Sequence, residues 1–398
     1  MNILFLQKSM GVGGVNVVTA TLARKFQEEG HLVVIFAFLD ENNGMNRNLY
    51  GGAPIVIGSG FKVCKDNIQK IRSIILEHHI DLIINQWGLP YVPTAILKKA
   101  CINTKAKWIS YYHSDPLFNG MTHDIEMVIK HETNPLKRFI DKTKLHVTRT
   151  VTSWMMRHNY HACWKFMVLA DSYINHFKQF TGLKKTEKLK VMNNPITIDT
   201  SEFVFKPDNK QNELIFVGRL DSSVKRVSRL VEVWSIIEPK FPNWKLTIVG
   251  DGPEKHQIKE IIKKNHLQNV ELVGQQDPRP YYERAALLGL SSDFEGWPLV
   301  LGECMAFGVV PIVYGSFDSI YDIVEDGVNG MIVSKENGNF SVNKMANAII
   351  RVIQDKDLRV DMMQKAIEKS HNFRIDFIYK QWNNIFEDLR NERKNSIS

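Results

Sequence analysis

Two glutamates, Glu295 and Glu303, stand eight positions apart with a helix start between them. Pro298 is tolerated in the first turn of a helix and Gly308 is a natural stop, so the sequence predicts a short helix over 298–307. The N–H groups at the start of that helix, with the positive end of its dipole, would attract an anion. The two carboxylates would accept hydrogen bonds from hydroxyl groups. The segment therefore suits a ligand that carries both phosphate and sugar.

A pair of cations follows an apolar run earlier in the chain. Residues 214–217 predict a buried strand that ends at Gly218, and Arg219 and Lys225 come after it. The carboxyl ends of strands in an open parallel sheet are the ordinary place for ligand contacts. Arginine offers a planar fork to phosphate oxygens and lysine a compact charge, so the two could neutralise a diphosphate without a metal.

Four motifs in this part of the chain resemble those of the retaining GT-B glycosyltransferases, specifically glycosyltransferase family 4. They are Gly-Arg-Leu with its following lysine at 218–225, Gly-Asp-Gly-Pro at 250–253, the two glutamates at 295–303, and Ile-Val-Glu-Asp-Gly-Val-Asn-Gly at 323–330. Each motif alone is weak. Four of them in this order within about 120 residues are specific.

The resemblance implies a metal-independent transferase of the hexosyltransferase type. It would move a sugar from a nucleotide diphosphate donor, most often a UDP-sugar, to a hydroxyl acceptor with retention of configuration. Arg219 and Lys225 would stabilise the departing diphosphate. Glu295 would contact donor-sugar hydroxyls, and Glu303 would accept hydrogen bonds from the ribose. The other donor-binding positions that the resemblance implies are Gly218, Gly274, Gly296, Trp297, Leu299 and Val300.

In the first half of the chain, a glycine loop at 11–14 and His113 each follow a predicted strand. The loop is not Gly-x-Gly-x-x-Gly, and no suitably placed acidic residue makes a dinucleotide site persuasive. The resemblance implies that Gly13 and Gly14 approach the donor diphosphate or the acceptor. It also implies that His113 contacts a sugar hydroxyl or the reaction centre. A tight turn and a structural histidine are the alternatives.

The sequence predicts two series of strands that alternate with helices: 2–6, 32–38, 81–85, 107–112 and 165–169, and then 214–217, 245–249, 270–273, 287–291 and 309–313. This alternation predicts an α/β protein with two parallel sheets, each covered by helices on both faces. The resemblance makes this a GT-B fold, with two Rossmann-like doubly wound domains that face a central cleft. The predicted parts are an acceptor-binding domain at 1–193, a linker at 194–212, a donor-binding domain at 213–372, and a C-terminal segment at 373–398. That last segment is expected to hold a helix that crosses back to the first domain and a disordered polar tail from 391.

The composition agrees with a globular protein of two domains, since 398 residues are too many for one ordinary core. Four scattered cysteines and the lack of a secretory signal favour a reducing cytoplasm. Residues 297–317 are nearly uncharged, but glycines and a proline interrupt them, so no membrane-spanning helix is predicted.

Charge is divided unevenly along the chain. Residues 1–200 hold 25 Lys and Arg against 15 Asp and Glu, a net +10, whereas residues 201–398 hold 26 against 28, a net −2. A basic first domain could meet anionic lipid, a polyanionic acceptor or nucleic acid, of which nucleic acid is the weakest option because no binding module appears.

The segment 120–165 mixes basic and apolar residues. It predicts either a pair of surface helices or an interfacial patch on the cytoplasmic leaflet of a membrane. The basic first domain and the lack of a signal favour a lipid-linked glycan or growing polysaccharide as acceptor, as in lipopolysaccharide or capsule synthesis, with the protein peripheral on the inner membrane face.

Several alternatives stay open. His158, His161 and Cys163 look like part of a metal site, yet no second pair stands at zinc-finger spacing, and no metal or other cofactor is expected. A sugar-nucleotide epimerase of the same fold and a catalytically silent partner subunit would share the motifs. A glycoside hydrolase would need its two carboxyl groups about 5–10 Å apart and would leave the cations without a role.

The sequence departs from the commoner family pattern at two places. Arg226 stands where a glycine is frequent and is expected to add a phosphate contact. Asn-Asn-Pro-Ile at 193–196 replaces the usual Pro-Asn-Gly of the linker.

Overall fold

The computed structural model describes residues 1–11, 13–41 and 47–395, and in it the chain divides into two compact units. The first unit comprises Met1–Pro195 together with Ile375–Ser398, and the second comprises Ile196–Arg374. The division therefore falls just after Pro195, and most of the predicted 194–212 linker belongs to the second unit.

The first unit is built on a seven-stranded parallel sheet in the order β3-β2-β1-β4-β5-β6-β7. Its strands are β1 Asn2–Ser9, β2 Leu32–Leu39, β3 Ile55–Ile57, β4 Leu82–Asn85, β5 Lys107–Tyr111, β6 Lys165–Val168 and β7 Leu189–Val191. The helices that connect them are α1 Gly14–Glu28, α2 Lys65–Glu77, α3 Tyr91–Ala100, α4 Gly120–His131, α5 Pro135–Ala162 and α6 Ser172–Thr181.

The second unit repeats this plan with six parallel strands in the order β10-β9-β8-β11-β12-β13. These strands are β8 Gln211–Val217, β9 Lys245–Val249, β10 Val270–Gly274, β11 Ala285–Leu290, β12 Val310–Tyr314 and β13 Met331–Val333. The helices are α7 Val227–Ile237, α8 Lys255–Lys264, α9 Arg279–Arg284, α10 Leu299–Ala306, α11 Ser319–Ile323, α12 Val342–Gln354 and α13 Lys356–Ser370.

Both sheets have near-continuous apolar strands because helices cover both faces. Ile3–Leu6 of β1 are fully buried, as are Leu214–Phe216 of β8. In each sheet the strand order reverses beside the first strand of the unit, between β1 and β4 and between β8 and β11. Ligands of open α/β sheets bind at the carboxyl ends of the strands at such a point. The predicted α/β class with two parallel sheets is confirmed.

The last helix, α14 Ile375–Asn395, packs within the first unit. Trp382 and Phe386 are buried and meet Phe26 of α1 edge-on, with ring centroids 5.7 and 5.3 Å away. The expectation of a disordered tail from 391 is wrong for 391–395, because Glu392 accepts hydrogen bonds from Lys107 and Trp164 and so holds the last turn. Residues 396–398 lie outside the described part of the chain.

The segment 120–165 forms two helices, as one of its interpretations predicted. Asn119 caps α4 and Asn134 caps α5, each through its side-chain oxygen. The last part of α5 is anchored, because Asn159 donates to the carbonyl oxygens of Gly88 and Leu89 at 2.7 and 2.9 Å. The part before residue 152 is largely exposed.

Candidate functional site

The loop after β8 is locked against the loop after β9 by glycines. The Gly218 N–H donates to the Val249 carbonyl oxygen at 3.0 Å. Gly250 has φ of +152°, and a Cβ built on it would lie 1.8 Å from the carbonyl oxygen of Gly218. Only glycine permits such an approach between two backbones. The Gly-Asp-Gly-Pro motif thus fixes the loop that carries Arg219.

Glu254, directly after that motif, is a contact that the sequence analysis missed. Its buried carboxylate accepts hydrogen bonds from the backbone N–H groups of Val227 and Ser228, at 3.0 and 2.9 Å. These groups open α7, where a negative charge is favourable. The capped helix start lies 26 residues away in sequence, so no local pattern signals this contact.

Lys225 and Glu295 are brought together at the point where the strand order reverses. Lys225 follows β8, Glu295 follows β11, and the Lys225 Nζ donates to the Glu295 Oε1. The Ser292 hydroxyl donates to the same oxygen at 2.9 Å. The side chains are only 21% and 13% exposed. Two groups predicted to bind different parts of one ligand therefore neutralise each other in this structure.

Arg219 contrasts with this pair. Its side chain is 72% exposed, and its Nε lies 4.0 Å from a carboxylate oxygen of Asp221. A solvated contact of this length contributes little stability. The guanidinium of Arg219 is therefore solvated and only weakly held in this structure.

The helix α10 begins one residue after Pro298, close to the predicted start. Trp297 is buried and its ring meets Phe373 edge-on, with centroids 5.4 Å apart, so its indole packs inside the unit. Leu299 and Val300 are half-buried in the first turn. The side chains at this helix start are thus apolar and at least half-buried, so the predicted donor contacts would have to come mainly from the backbone.

Glu303 lies inside the unit and is only 6% exposed. The Thr197 hydroxyl donates to its Oε1 at 2.5 Å, and the Tyr282 hydroxyl donates to its Oε2 at 3.2 Å. Burial raises the pKa of Glu303 above that of an ordinary glutamate. Both oxygens already have hydroxyl partners, so the predicted contact with a ribose would have to share or replace them.

Gly274 ends β10 and has φ of +76°, a left-handed conformation. Its carbonyl oxygen accepts from the Gly250 N–H at 2.7 Å, which joins it to the glycine turn described above. An added Cβ would meet no atom within 4 Å. The glycine is therefore required by the backbone conformation and leaves open space beside the strand end.

In the first unit, His113 follows β5. Its Nε2 lies 2.6 Å from Oε1 of Gln86, and the centroid of its ring lies 4.1 Å from that of Tyr111. Burial lowers the pKa of His113 to about 3, so the imidazole is neutral near pH 7. It can exchange hydrogen bonds with a hydroxyl, and it carries no charge with which to attract phosphate.

His113 borders a cavity of about 350 Å³ at the carboxyl ends of β4 and β5, next to the reversal point of the first sheet between β1 and β4. Apolar side chains form most of its wall, among them Trp87 and Leu89. Gly13 caps α1 and Gly14 is its first residue, and both are close in sequence to Val15, which also lines the cavity. Val12 of the glycine loop lies outside the described residues.

Within the residues described, the structure shows no group of three or more His, Cys, Asp or Glu side chains that could hold a metal ion. The His158 ring stacks on Trp154 with centroids 5.4 Å apart and is tilted against Tyr91 at 5.3 Å, and Cys163 is buried. No described helix is both long and apolar enough to cross a membrane.

Two family models match this chain. The model described as Glycosyltransferase Family 4 matches residues 12–200, and the model described as Glycosyl transferases group 1 matches residues 197–369. The first match lies almost wholly in the first structural unit, and the second lies entirely in the second unit. Together they span nearly the whole described chain.

Known proteins agree with these matches. An uncharacterized glycosyltransferase of Haemophilus influenzae is 29% identical over 50% of this chain and 56% of its own length. The amylovoran biosynthesis glycosyltransferase AmsD of Erwinia amylovora is 31% identical over 44% of this chain and 48% of its own length. The chain thus spans about half the length of these curated relatives.

A crystal structure of Anabaena HepE in complex with UDP shares the fold. It superposes with a TM-score of 0.75 at 17% identity and covers 98% of this chain and 100% of its own. The GT-B fold expected from the sequence is thereby confirmed. By its two family matches and its fold, this chain belongs to the group 1 glycosyltransferases of family 4.

Proposed function

We propose that this protein is a retaining glycosyltransferase that moves a sugar from a UDP-sugar to a hydroxyl group of a lipid-linked glycan or polysaccharide precursor. The observation that carries the proposal is the arrangement at the reversal point of the second sheet. There an exposed Arg219 and a lysine–carboxylate pair surround the strand ends, beside the N-terminus of α10. A diphosphate sugar requires cations and backbone N–H groups for its phosphates and carboxylates that accept hydrogen bonds from its hydroxyl groups.

The residues divide the chemistry between them. Arg219 and Lys225 neutralise the charge that develops on the departing diphosphate, which is where electrostatic stabilisation acts most strongly. Once Lys225 turns to phosphate, Glu295 can accept hydrogen bonds from the hydroxyls of the donor sugar. Both cations are protein side chains, so the proposal requires no metal. The family resemblance supports retention, and the UDP bound to HepE supports uridine as the base.

The first unit supplies an acceptor site in this proposal. The apolar cavity beside His113 suits one face of a sugar ring, and a neutral imidazole can hold a hydroxyl group. The role of AmsD in amylovoran biosynthesis, as its name states, supports an acceptor in cell-surface polysaccharide synthesis.

The placement of the glutamates counts against a glycoside hydrolase. Glu303 is held inside the unit by two hydroxyls, and Glu295 is paired with Lys225. Neither has the setting of an acid or a nucleophile beside an open scissile bond. The assay below distinguishes a transferase from the two remaining alternatives, a sugar-nucleotide epimerase and a catalytically silent subunit.

The test is a panel of UDP-, GDP- and ADP-sugars incubated with the protein and EDTA, with and without lipid-linked and saccharide acceptors. We expect release of one nucleoside diphosphate that depends on an acceptor and is retained in EDTA. The Arg219→Ala variant should lower kcat/KM by about 100-fold, since removal of one charge-stabilising donor typically costs that much. Lys365→Ala, which removes an exposed pair on α13, is the matched control.

NMR of the product would then give the configuration at the anomeric carbon, and an inverted product would contradict retention. Binding of a nucleotide sugar without release under any acceptor would overturn the transferase proposal. Interconversion of the sugar without an acceptor would show an epimerase.

We also propose that the exposed part of α5 docks on an anionic membrane surface. Its apolar side chains Leu136, Phe139 and Ile140 are 56–69% exposed. The exposed basic residues Lys137 and Arg138 lie next to them in the same turns. This combination suits the boundary between acyl chains and anionic headgroups.

Flotation with phosphatidylglycerol vesicles and with neutral phosphatidylcholine vesicles tests this docking. We expect recovery with the anionic vesicles, lost in a Phe139→Ser/Ile140→Ser variant and kept in Val204→Ser, which removes an equally exposed apolar side chain from the second unit. Equal recovery of all three proteins, or none with either vesicle, would overturn it.

A further inference from the structure

Arg226 holds a backbone conformation that long side chains avoid. Its φ of +53° and ψ of +44° are left-handed, and it stands immediately before α7. The other described non-glycine residues with positive φ are histidines and asparagines, which tolerate this region better. A strained residue persists only where its surroundings over-determine it, and such residues cluster at functional sites.

The side chain of Arg226 is held by Asp293, on the loop after β11. The Arg226 Nε donates to the Asp293 Oδ2 at 2.9 Å, and the Arg229 Nη1 donates to the Asp293 Oδ1 at 2.5 Å. The three side chains are only 20–26% exposed. Planar guanidinium groups bind carboxylates in fixed directions, so this cluster sets orientation as well as charge. Because the Arg226 guanidinium is engaged by Asp293, the expected phosphate contact would have to share or replace that partner.

Backbone contacts join the same two loops. The Asp293 N–H donates to the Val224 carbonyl oxygen at 2.8 Å, and the Ser291 hydroxyl donates to the Arg226 carbonyl oxygen at 2.9 Å. Lys225 therefore lies between two residues that are bound to the opposite loop. Glu295 lies only two residues beyond Asp293.

We propose that Arg226 and Asp293 are positioning residues for donor binding. They fix the loop after β11 relative to the loop after β8, so that Lys225 and Glu295 keep their separation when a diphosphate draws Lys225 away from its carboxylate partner. Without the Arg226–Asp293 pair, only Arg229 and the backbone contacts would hold the loop after β11 once the Lys225–Glu295 contact is lost, so the loop would open more easily. The donor role of this pairing rests on the proposed function, whereas the loop positioning does not.

The first measurement is hydrogen exchange of the peptide 291–297 in the nucleotide-free full-length protein. We expect exchange to rise about fivefold in Arg226→Gly and in Asp293→Asn, because local opening becomes easier when the loop loses its anchor. Arg279→Ala, which removes an ion pair on α9, should leave this peptide unchanged. Unchanged exchange in Arg226→Gly would overturn the proposal whatever the protein binds.

The second measurement is the affinity for UDP, compared with the unfolding temperature. Arg226→Gly relieves the left-handed strain and Arg226→Ala keeps it, so the glycine variant should be the more stable of the two. If Arg226 positions the loop, both variants lose about fivefold in UDP affinity, and Arg226→Lys recovers part of it. If the less stable variant loses more UDP affinity and the more stable variant loses little, the loss reflects stability, and the positioning role would be overturned. Wild-type protein that binds no nucleoside diphosphate would overturn the proposed function, and the exchange result would still decide the loop positioning.

Discussion

Glu303 lies where water cannot solvate its charge, and this has a measurable consequence at the scale of the residue. Burial raises the pKa of Glu303, so the folded protein binds its proton more readily than the unfolded chain does. The stabilising effect of that proton is present below the ordinary pKa of 4.5 and is lost as pH rises through the raised pKa.

A Glu303→Gln variant tests this effect, because glutamine keeps the shape of the side chain and does not titrate. We expect the variant to gain unfolding free energy relative to wild type as the pH rises from 4 to 8, because only wild type loses a bound proton there. Urea unfolding of both proteins at the two pH values measures the difference. If the difference in unfolding free energy between the two proteins does not change with pH, burial does not shift the pKa of Glu303. Weaker UDP-sugar binding by the same variant would support the ribose contact.

His113 carries a prediction of the opposite sign. Its pKa of about 3 lies below the ordinary 6.5, so the neutral ring stabilises the fold above pH 6.5, and this effect is lost as pH falls toward 3. The group does not titrate between pH 5 and 8. The pH dependence of kcat/KM in that range should therefore have the same shape in wild type and in His113→Gln, although the variant is slower. An inflection near pH 6.5 that only wild type shows would contradict this.

Sequence reasoning located the charged groups better than it located their partners. Lys225 and Glu295 were recognisable because each follows a predicted strand within a motif. Their contact depends on β8 and β11 being neighbours, which strand patterns alone do not specify. The setting of Glu303 likewise depends on Thr197, 106 residues away in sequence. The ligand roles of these residues stay predictions.

At the scale of elements, the glycine turn after β9 is the most constrained connection described. We expect Gly250→Ala to destabilise the protein by about 4 kcal/mol or more, since its Cβ would overlap the Gly218 backbone and neither strand end can withdraw. Gly274→Ala is the matched comparison, because its φ is also positive but its Cβ would meet open space, and it should lose only about 1–2 kcal/mol. Chemical unfolding measures both. Equal losses would mean that backbone conformation, rather than the close approach, makes glycine necessary.

The helix α14 carries a second prediction for elements. Trp382→Ala should destabilise the first unit by about 3–5 kcal/mol, since it empties a buried site against Phe26. Phe377→Ala removes a ring from the same helix that is 42% exposed, and should lose less than about 1 kcal/mol. Similar losses in the two variants, measured by urea unfolding, would show that α14 is not held by its buried face.

The elements that the sequence predicted well are the long, apolar or amphipathic ones. Three strands were missed, β3, β7 and β13, and each has only three residues. Such strands are too short to show alternation, and they form because a neighbouring strand offers its backbone groups. The end of α14 was missed because its polar last turn is held by contacts with residues more than 200 positions away.

At the scale of the whole molecule, both units contain a parallel sheet with the same strand order, and the two parts of the chain differ in net charge. The first 200 residues are strongly basic and the remainder is nearly neutral, although both sheets have the same order over their first six strands. The plan follows from alternating apolar patterns, which is why it could be predicted. The charge follows from surface residues, which the fold leaves open to selection by partners.

The Lys225–Glu295 pair also has a consequence for how fast a donor arrives. Charged side chains on the loops after β8 and β11 and in the first turn of α7 sum to only +1, four cations against three carboxylates: Arg219, Lys225, Arg226, Arg229, Asp221, Asp293 and Glu295. Because this local field is weak, long-range attraction of a dianionic nucleotide sugar should be small. We expect the association rate constant in stopped-flow experiments to fall less than about threefold between about 0.05 and 0.5 M salt. The dissociation rate constant, which reports contacts already made, should carry most of the salt dependence. A tenfold fall in the association rate constant over the same salt range would contradict the weak local field and would show strong long-range attraction of the donor.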